Sequence, residues 1–124
     1  MNIKEKVFNA LNASTDLTNL LAKDAKNQCV FHCRSPSAKN YPVIVYSMTK
    51  DEPAVIADGT VIERRVTIRI SILTKDGVTY QIFKEVWKVM AELGFMFVQS
   101  TESVEANNLF VNSIDFKVAI GGNE

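Results

Sequence analysis

A single histidine, two cysteines, five scattered glycines and no long apolar run set the first limits on this chain. A structural zinc site normally takes four ligands, with a second pair supplied from elsewhere in the chain. Cys29, His32 and Cys33, in CVFHC, are the one cluster of such residue types, and no third cysteine or second histidine exists to complete it. In a strand, His32 would also point away from Cys33. No metal is expected, and both cysteines are expected to serve as small buried hydrophobes. Strand spacing would hold their Cα atoms roughly 13 Å apart, too far for a disulfide, and free thiols suit a reduced cytosolic setting. One histidine with no GxSxG elbow around it leaves a hydrolase triad without its parts. The glycines form neither GxGxxG nor GxxxxGKS/T, so no phosphate cradle is encoded. Asp51, Glu52 and Asp58 come nearest to paired catalytic carboxylates, but they share a polar stretch with proline and alanine and are expected to form a solvated turn. No catalytic residue and no cofactor is expected.

Neither sign of charge dominates. Fourteen Lys and Arg balance fourteen Asp and Glu, so no global field draws nucleic acid or anionic lipid. No apolar run approaches the ~20 residues of a membrane span. The start, MNIKEKVFNAL, has no apolar core after its lysines, so no secretory signal is expected. The composition, 47% hydrophobic and 23% charged over 124 residues, suits one globular domain spanning residues 1–124.

The most regular stretch is TVIERRVTIRISIL, residues 60–73. Steps of two place Val66, Ile68, Ile70 and Ile72 on one side, with Arg65, Thr67, Arg69 and Ser71 on the other, as a strand does when one face meets a core. Fourteen residues of strand reach roughly 46 Å, whereas a body of this chain length is only some 35 Å across. The strand must therefore bend sharply or leave the body at one end.

Around it, Ile3, Val7, Ala10 and Leu11 have helical spacing. Ser14, Thr15 and Asp16 offer N-cap oxygens to a short second helix holding Leu17, Leu20 and Leu21. Residues 29–33 suggest a short strand, 35–42 a loop, and Val43 to Met48 a second strand. The polar stretch 49–59 is expected to be a mobile loop closing on an Asp-Gly turn, with Val55 and Ile56 stranded in it. Val78, Ile82, Val86, Val89 and Leu93 predict a helix ending before Gly94. Trp87 is expected to cover the core edge on its flank, and a contact role stays open because interfaces are enriched in tryptophan. Strands near 95–104 and 109–120, joined by EANN, close the chain. The predicted class is α+β, a mostly antiparallel sheet with a long strand-helix-hairpin unit and helices packed on one face. Glu63, Arg65 and Arg69, on the polar side of the long strand, mark a candidate partner surface or a solvated face with cross-strand ion pairs.

Taken together, VFNALNASTDLTNLLA, the YPVIVYSM strand with its acidic continuation, VTIRISILTKDGVTYQIFKEVWKVMAEL and the closing VNSIDFKV resemble the tail completion, or tail terminator, proteins of long-tailed bacteriophages. The likeness covers most of the chain and rests on layout rather than on one tight motif. It implies a structural protein with no active site to transfer: a hexameric ring that caps the head-proximal end of the tail tube, stops tube growth and presents a surface for head-tail joining. Its partners would be other copies of itself, the tail tube protein and the head-tail connector protein, with DNA only as passing cargo. Its place would be the virion tail, reached by assembly in the host cytoplasm. Under this resemblance Val55, Ile56, Glu63, Arg65 and Arg69 would lie at a subunit or tube interface. Another neck or tube component of related fold, or a small host regulatory or ligand-binding domain, remains an alternative reading.

Overall fold

Asn2 starts the first helix, α1 (Ile3–Ala13), in the computed structural model, which describes residues 2–33 and 40–124. Its side-chain oxygen accepts from the Glu5 N–H at 2.9 Å, and its amide donates back to the Glu5 carboxylate at 3.0 Å. The first of these bonds satisfies one of the backbone donors that the first turn leaves without partners. Helical spacing then buries Val7 and Leu11 completely. Ser14 ends α1 and caps α2 (Thr15–Thr18) by accepting from the Leu17 N–H. Leu17 and Leu21 turn into the core, but Leu20 faces outward, because α2 stops at Thr18 and its periodicity stops there too.

The strands are β1 (Val30–His32), β2 (Val43–Ala57), β3 (Thr60–Thr74), β4 (Met96–Glu105) and β5 (Leu109–Gly121), with α3 (Tyr80–Glu92) between β3 and β4. They form one sheet in the order β1-β2-β3-β5-β4. Only the β1–β2 pair is parallel. The expected α+β class, with its strand-helix-hairpin unit, is the class observed. The start of the loop expected at 35–42 lies outside the described residues, and the Tyr41–Pro42 peptide at its end is cis.

Register decides what the core contains. Ile68 lies opposite Met48 on one side and Phe116 on the other, and Ile70 lies between Tyr46 and Ile114. Val66, Ile68, Ile70 and Ile72 are fully buried, and the helices cover this face with Val7, Leu11, Leu17, Ile82, Val86 and Met90. Leu93 and Val118 reach only the rim of that cluster, half-buried. Val78 misses it and is 66% exposed. Asp76 accepts from the Val78 N–H and Thr74 from the Gly77 N–H, so a turn occupies these residues and the helix begins only at Tyr80.

The largest departure from expectation is the stretch 49–57, which is strand and not a mobile loop. β2 runs fifteen residues and pairs with β3 out to Ala57↔Thr60. Every residue from Thr49 to Thr60 is exposed. With no buried face, this half of the strand has no reason to alternate apolar and polar residues, so the usual signature is missing. Pro53 is tolerated because β1 pairs only with Ile44 to Tyr46, and among the described residues nothing pairs with the outer edge of β2 from Ser47 onward. The long strand therefore leaves the body as half of a hairpin arm.

Truncating the middle of the β3 core face, Ile70→Ala, is expected to lower unfolding stability by about 2–5 kcal/mol. A urea titration measures it, and a loss under about half a kcal/mol would contradict the buried position of Ile70.

Candidate interaction surface

The arm closes on Asp58 and Gly59, whose φ values of 52° and 77° put both central residues in the left-handed region. That is the combination a two-residue type I′ turn requires, and Asp-Gly supplies it with the least strain. At the arm's base Arg64 grips Asp51 through two bonds, of 2.9 and 3.0 Å. The same guanidinium donates to the carbonyl oxygens of Gly122 (3.2 Å) and Glu124 (2.6 Å). The Gly122 N–H donates to the Ile62 carbonyl, and a Cβ on Gly122 would collide with the Val61 carbonyl oxygen. The chain's last residues thus brace the arm where β5 runs out.

Val55 (44% exposed), Ile56 (60%) and Ile62 (54%) stand on this arm without cover. Glu63 is half-buried opposite Gly121, and exposed Arg65 lies between Glu52 and Ala119. The fold therefore gathers Val55, Ile56, Glu63 and Arg65 on one projection. Arg69 is elsewhere, on the sheet face away from the helices. There Arg69 makes a paired contact with Asp115, 2.8 and 3.2 Å, and Gln99 donates to the same carboxylate at 2.9 Å. A groove of about 380 Å³ runs past this pair, between Lys50, Glu52, Val98 and Lys117. Hydrogen bonding from Arg69 holds the Asp115 carboxyl below its usual range, against the opposing push of burial. Arg69 is raised in turn, chiefly by the same bond.

Two surface features went unread in the sequence. Ile62 stands in phase with Val66 to Ile72, and Arg64 between them interrupts the alternation. On α3, Trp87 stacks on Phe97 at 4.3 Å and packs near Phe83 at 5.7 Å, so it does cover the core edge, yet it stays 40% exposed. Beside it a shallow groove is lined by Tyr80, Phe83, Lys84, Glu85, Trp87 and Lys88.

The cysteine cluster differs from expectation. Cys29 is buried, and burial raises its thiol pKa, but Cys33 is exposed, and both are free thiols. Cys33 has a φ of 66°, which turns it out of strand geometry and brings its sulfur 3.2 Å from His32 Nε2 instead of to the opposite face. Among the described residues, no three His, Cys, Asp or Glu side chains converge on a point that could hold a metal. No helix of the described residues is long and apolar enough to cross a membrane.

In its fold the chain is similar to a chain from the virion of a native gene transfer agent particle. The two superpose with a TM-score of 0.66 over 97% of this chain and 95% of that one, at 16% identity. At that identity the likeness is one of fold. No family model and no curated protein matches the sequence.

Replacing Asp115 with asparagine tests the ion pair. Asp115 has a lowered folded pKa, so its charge stabilises the fold above the ordinary carboxylate range, and that contribution fades as pH falls through the folded value. Asp115→Asn should cost roughly 1 kcal/mol at pH 7, a modest figure because the Arg69 side chain is 42% exposed. Urea titrations should show this gap constant from pH 7 to about 5 and closing below about 4.

Proposed function

We propose that this chain is a structural component of a phage-like virion, and more specifically a tail completion protein. In this reading it forms a hexameric ring on the head-proximal end of the tail tube, ends tube growth and offers the surface for head-tail joining. Its role is structural rather than catalytic. It meets copies of itself, the tail tube protein and the head-tail connector protein, with DNA as passing cargo, after assembly in the host cytoplasm.

The observation that carries this reading is the arm. Two strands leave the body with Val55, Ile56 and Ile62 uncovered at their far end. Apolar residues gathered uncovered on one projection are an aggregation hazard for a solitary protein. Closed cyclic symmetry removes the hazard by giving each arm one neighbour and leaving no growing end. The fold shared over nearly the full length with a gene transfer agent virion chain supports placing such an assembly in a virion. Glu63 and Arg65, on the arm's base, would then lie at the subunit or tube contact together with Val55 and Ile56. Arg69, tied to Asp115, would shape the open face behind them.

The double change Val55→Asp with Ile56→Asp discriminates. Both side chains are exposed, so the monomer should stay folded with its melting temperature shifted by no more than about 2 °C. Ring formation, read by sedimentation and negative-stain imaging, and tail-length control, read by electron microscopy of assembled tails, should both be weakened. An unfolded monomer would assign the pair to the core. Wild-type behaviour in every assay would remove the arm from assembly.

A further inference from the structure

Two surfaces on the chain complement each other and lie on opposite edges of the sheet. The distal arm, residues 51–63, carries Glu52, Asp58 and Glu63, while Asp51 is tied to Arg64 and Arg65 stands at the arm's base. Around its acids stand uncovered Val55, Ile56 and Ile62. The second surface is the groove on α3, where exposed Trp87 and Tyr80 stand beside Lys84 and Lys88, with Glu85 the one acid in its lining. Lys84 sits over the Tyr80 ring at 5.5 Å. Among the described residues neither lysine forms an ion pair with a carboxylate. An apolar, acidic projection thus has an aromatic, basic counterpart.

Topology fixes where they lie. The arm extends from β2 and β3, and among the described residues nothing pairs with the outer edge of β2 beyond Tyr46. Trp87 stacks on Phe97 of β4, the strand at the sheet's other edge. Met96, at the start of β4, pairs with Lys117, which pairs in turn with Thr67 near the arm's root. The Trp87 end of the groove therefore lies toward the arm's end of the sheet but on the far edge, three strand spacings or roughly 14 Å across, and the Tyr80 end lies by Thr79, which bonds Asn112 opposite Ile72. Both surfaces are exposed, so neither covers the other within one chain. A copy placed alongside brings its arm to its neighbour's groove, and the contact repeats head to tail.

We propose that the arm of one subunit docks in the α3 groove of the next, with Val55 and Ile56 against Trp87 and Tyr80 and the arm's carboxylates beside Lys84 and Lys88. This rests on the ring reading above and names the contact that would build the ring. β-Strand addition is a poor substitute on the arm's side. The open edge of β2 carries Pro53, and its pairing with β3 shifts register at Met48/Lys50, Pro53/Val55 and Val55/Ile56. Such irregularities blunt a sheet edge.

A head-to-tail contact has a signature that a symmetric one lacks. The arm variant Val55→Asp with Ile56→Asp keeps an intact groove, and the groove variant Lys84→Glu with Lys88→Glu keeps an intact arm. Each alone should associate at least about tenfold more weakly than wild type: the arm variant sets carboxylates against the Trp87 and Tyr80 rings in place of aliphatic side chains, and the groove variant sets like charges face to face. Mixed in equal amounts, the two should form dimers and no rings, because only one of the two contacts per pair survives. Sedimentation of wild type, each variant and the mixture reads this, with melting curves confirming that both variants are folded. Adding Glu52→Lys and Asp58→Lys to the groove variant should restore rings. A groove variant that still makes rings, or a mixture that stays monomeric while wild type makes rings, overturns the docking proposal and leaves the ring reading standing. A wild type that stays monomeric at high concentration, alone and with tail tubes, overturns both.

Discussion

Alternation along β3 divides the molecule in two. This strand has neighbours on both sides, antiparallel to β2 from Thr60 to Leu73 and to β5 from Glu63 to Thr74. From Val66 onward, each even residue enters the helix-covered core, and Thr67, Arg69 and Ser71 line the open face. A slip of one residue would exchange these sets and bury Arg69 in hydrocarbon. On the open face, Arg69 with Asp115 and Ser71 with Ser113 are directly opposed pairs, so the register is held from both sides of the sheet. The inner face supplies the burial and the outer face adds polar matching.

How much of this can be read from residues alone follows from which segments have a buried face. Val66 to Ile72, Ile82 to Val89 and Ile114 to Phe116 are each amphipathic at the period of their own structure, and each was legible. Thr49 to Ala57 was not. Its strand state depends on backbone hydrogen bonds to β3, with Asp51 opposite Val66 and Ala57 opposite Thr60, and hydropathy carries no trace of backbone pairing. Val78 fits the helical spacing but precedes the helix, because the Asp76 and Thr74 side chains claim the backbone donors there. The groove on α3 was half legible. Trp87 and the two lysines share a helix flank in the sequence, but the stacking of Trp87 on Phe97 of β4 is a tertiary fact.

The arm also poses an energetic question. An isolated two-stranded hairpin is marginal in water, and this one buries little at its tip. Three devices hold it. The Asp58-Gly59 turn matches the twist of the strands, so closure costs little strain. Arg64 ties β3 to Asp51 on β2, and at the same time to Gly122 and Glu124 at the chain's end. β5 continues beside β3 as far as Gly121, so the arm is three strands wide at its root and two only near the tip. The close passage of Gly122 over Val61 leaves no room for a side chain. Stiffness therefore declines from root to tip, and the least supported part is the part with uncovered apolar residues.

A sheet with two free edges must also avoid stacking edge to edge without limit. β4 presents the other edge, from Met96 to Glu105, with a single register shift between Phe97 and Gln99. Gln99 to Ser103 are polar, with Glu102 and Glu105 spaced along the strand beside exposed Met96, Val98 and Val104. Against another β4, those carboxylates repel. Against β2, the bulges and Pro53 prevent a continuous ladder. Backbone pairing between copies is discouraged at both edges, which leaves side-chain recognition to decide how copies meet. A contact made by one arm in one groove has a defined rotation from copy to copy, and that rotation determines whether the chain of contacts closes into a ring or runs on as a filament.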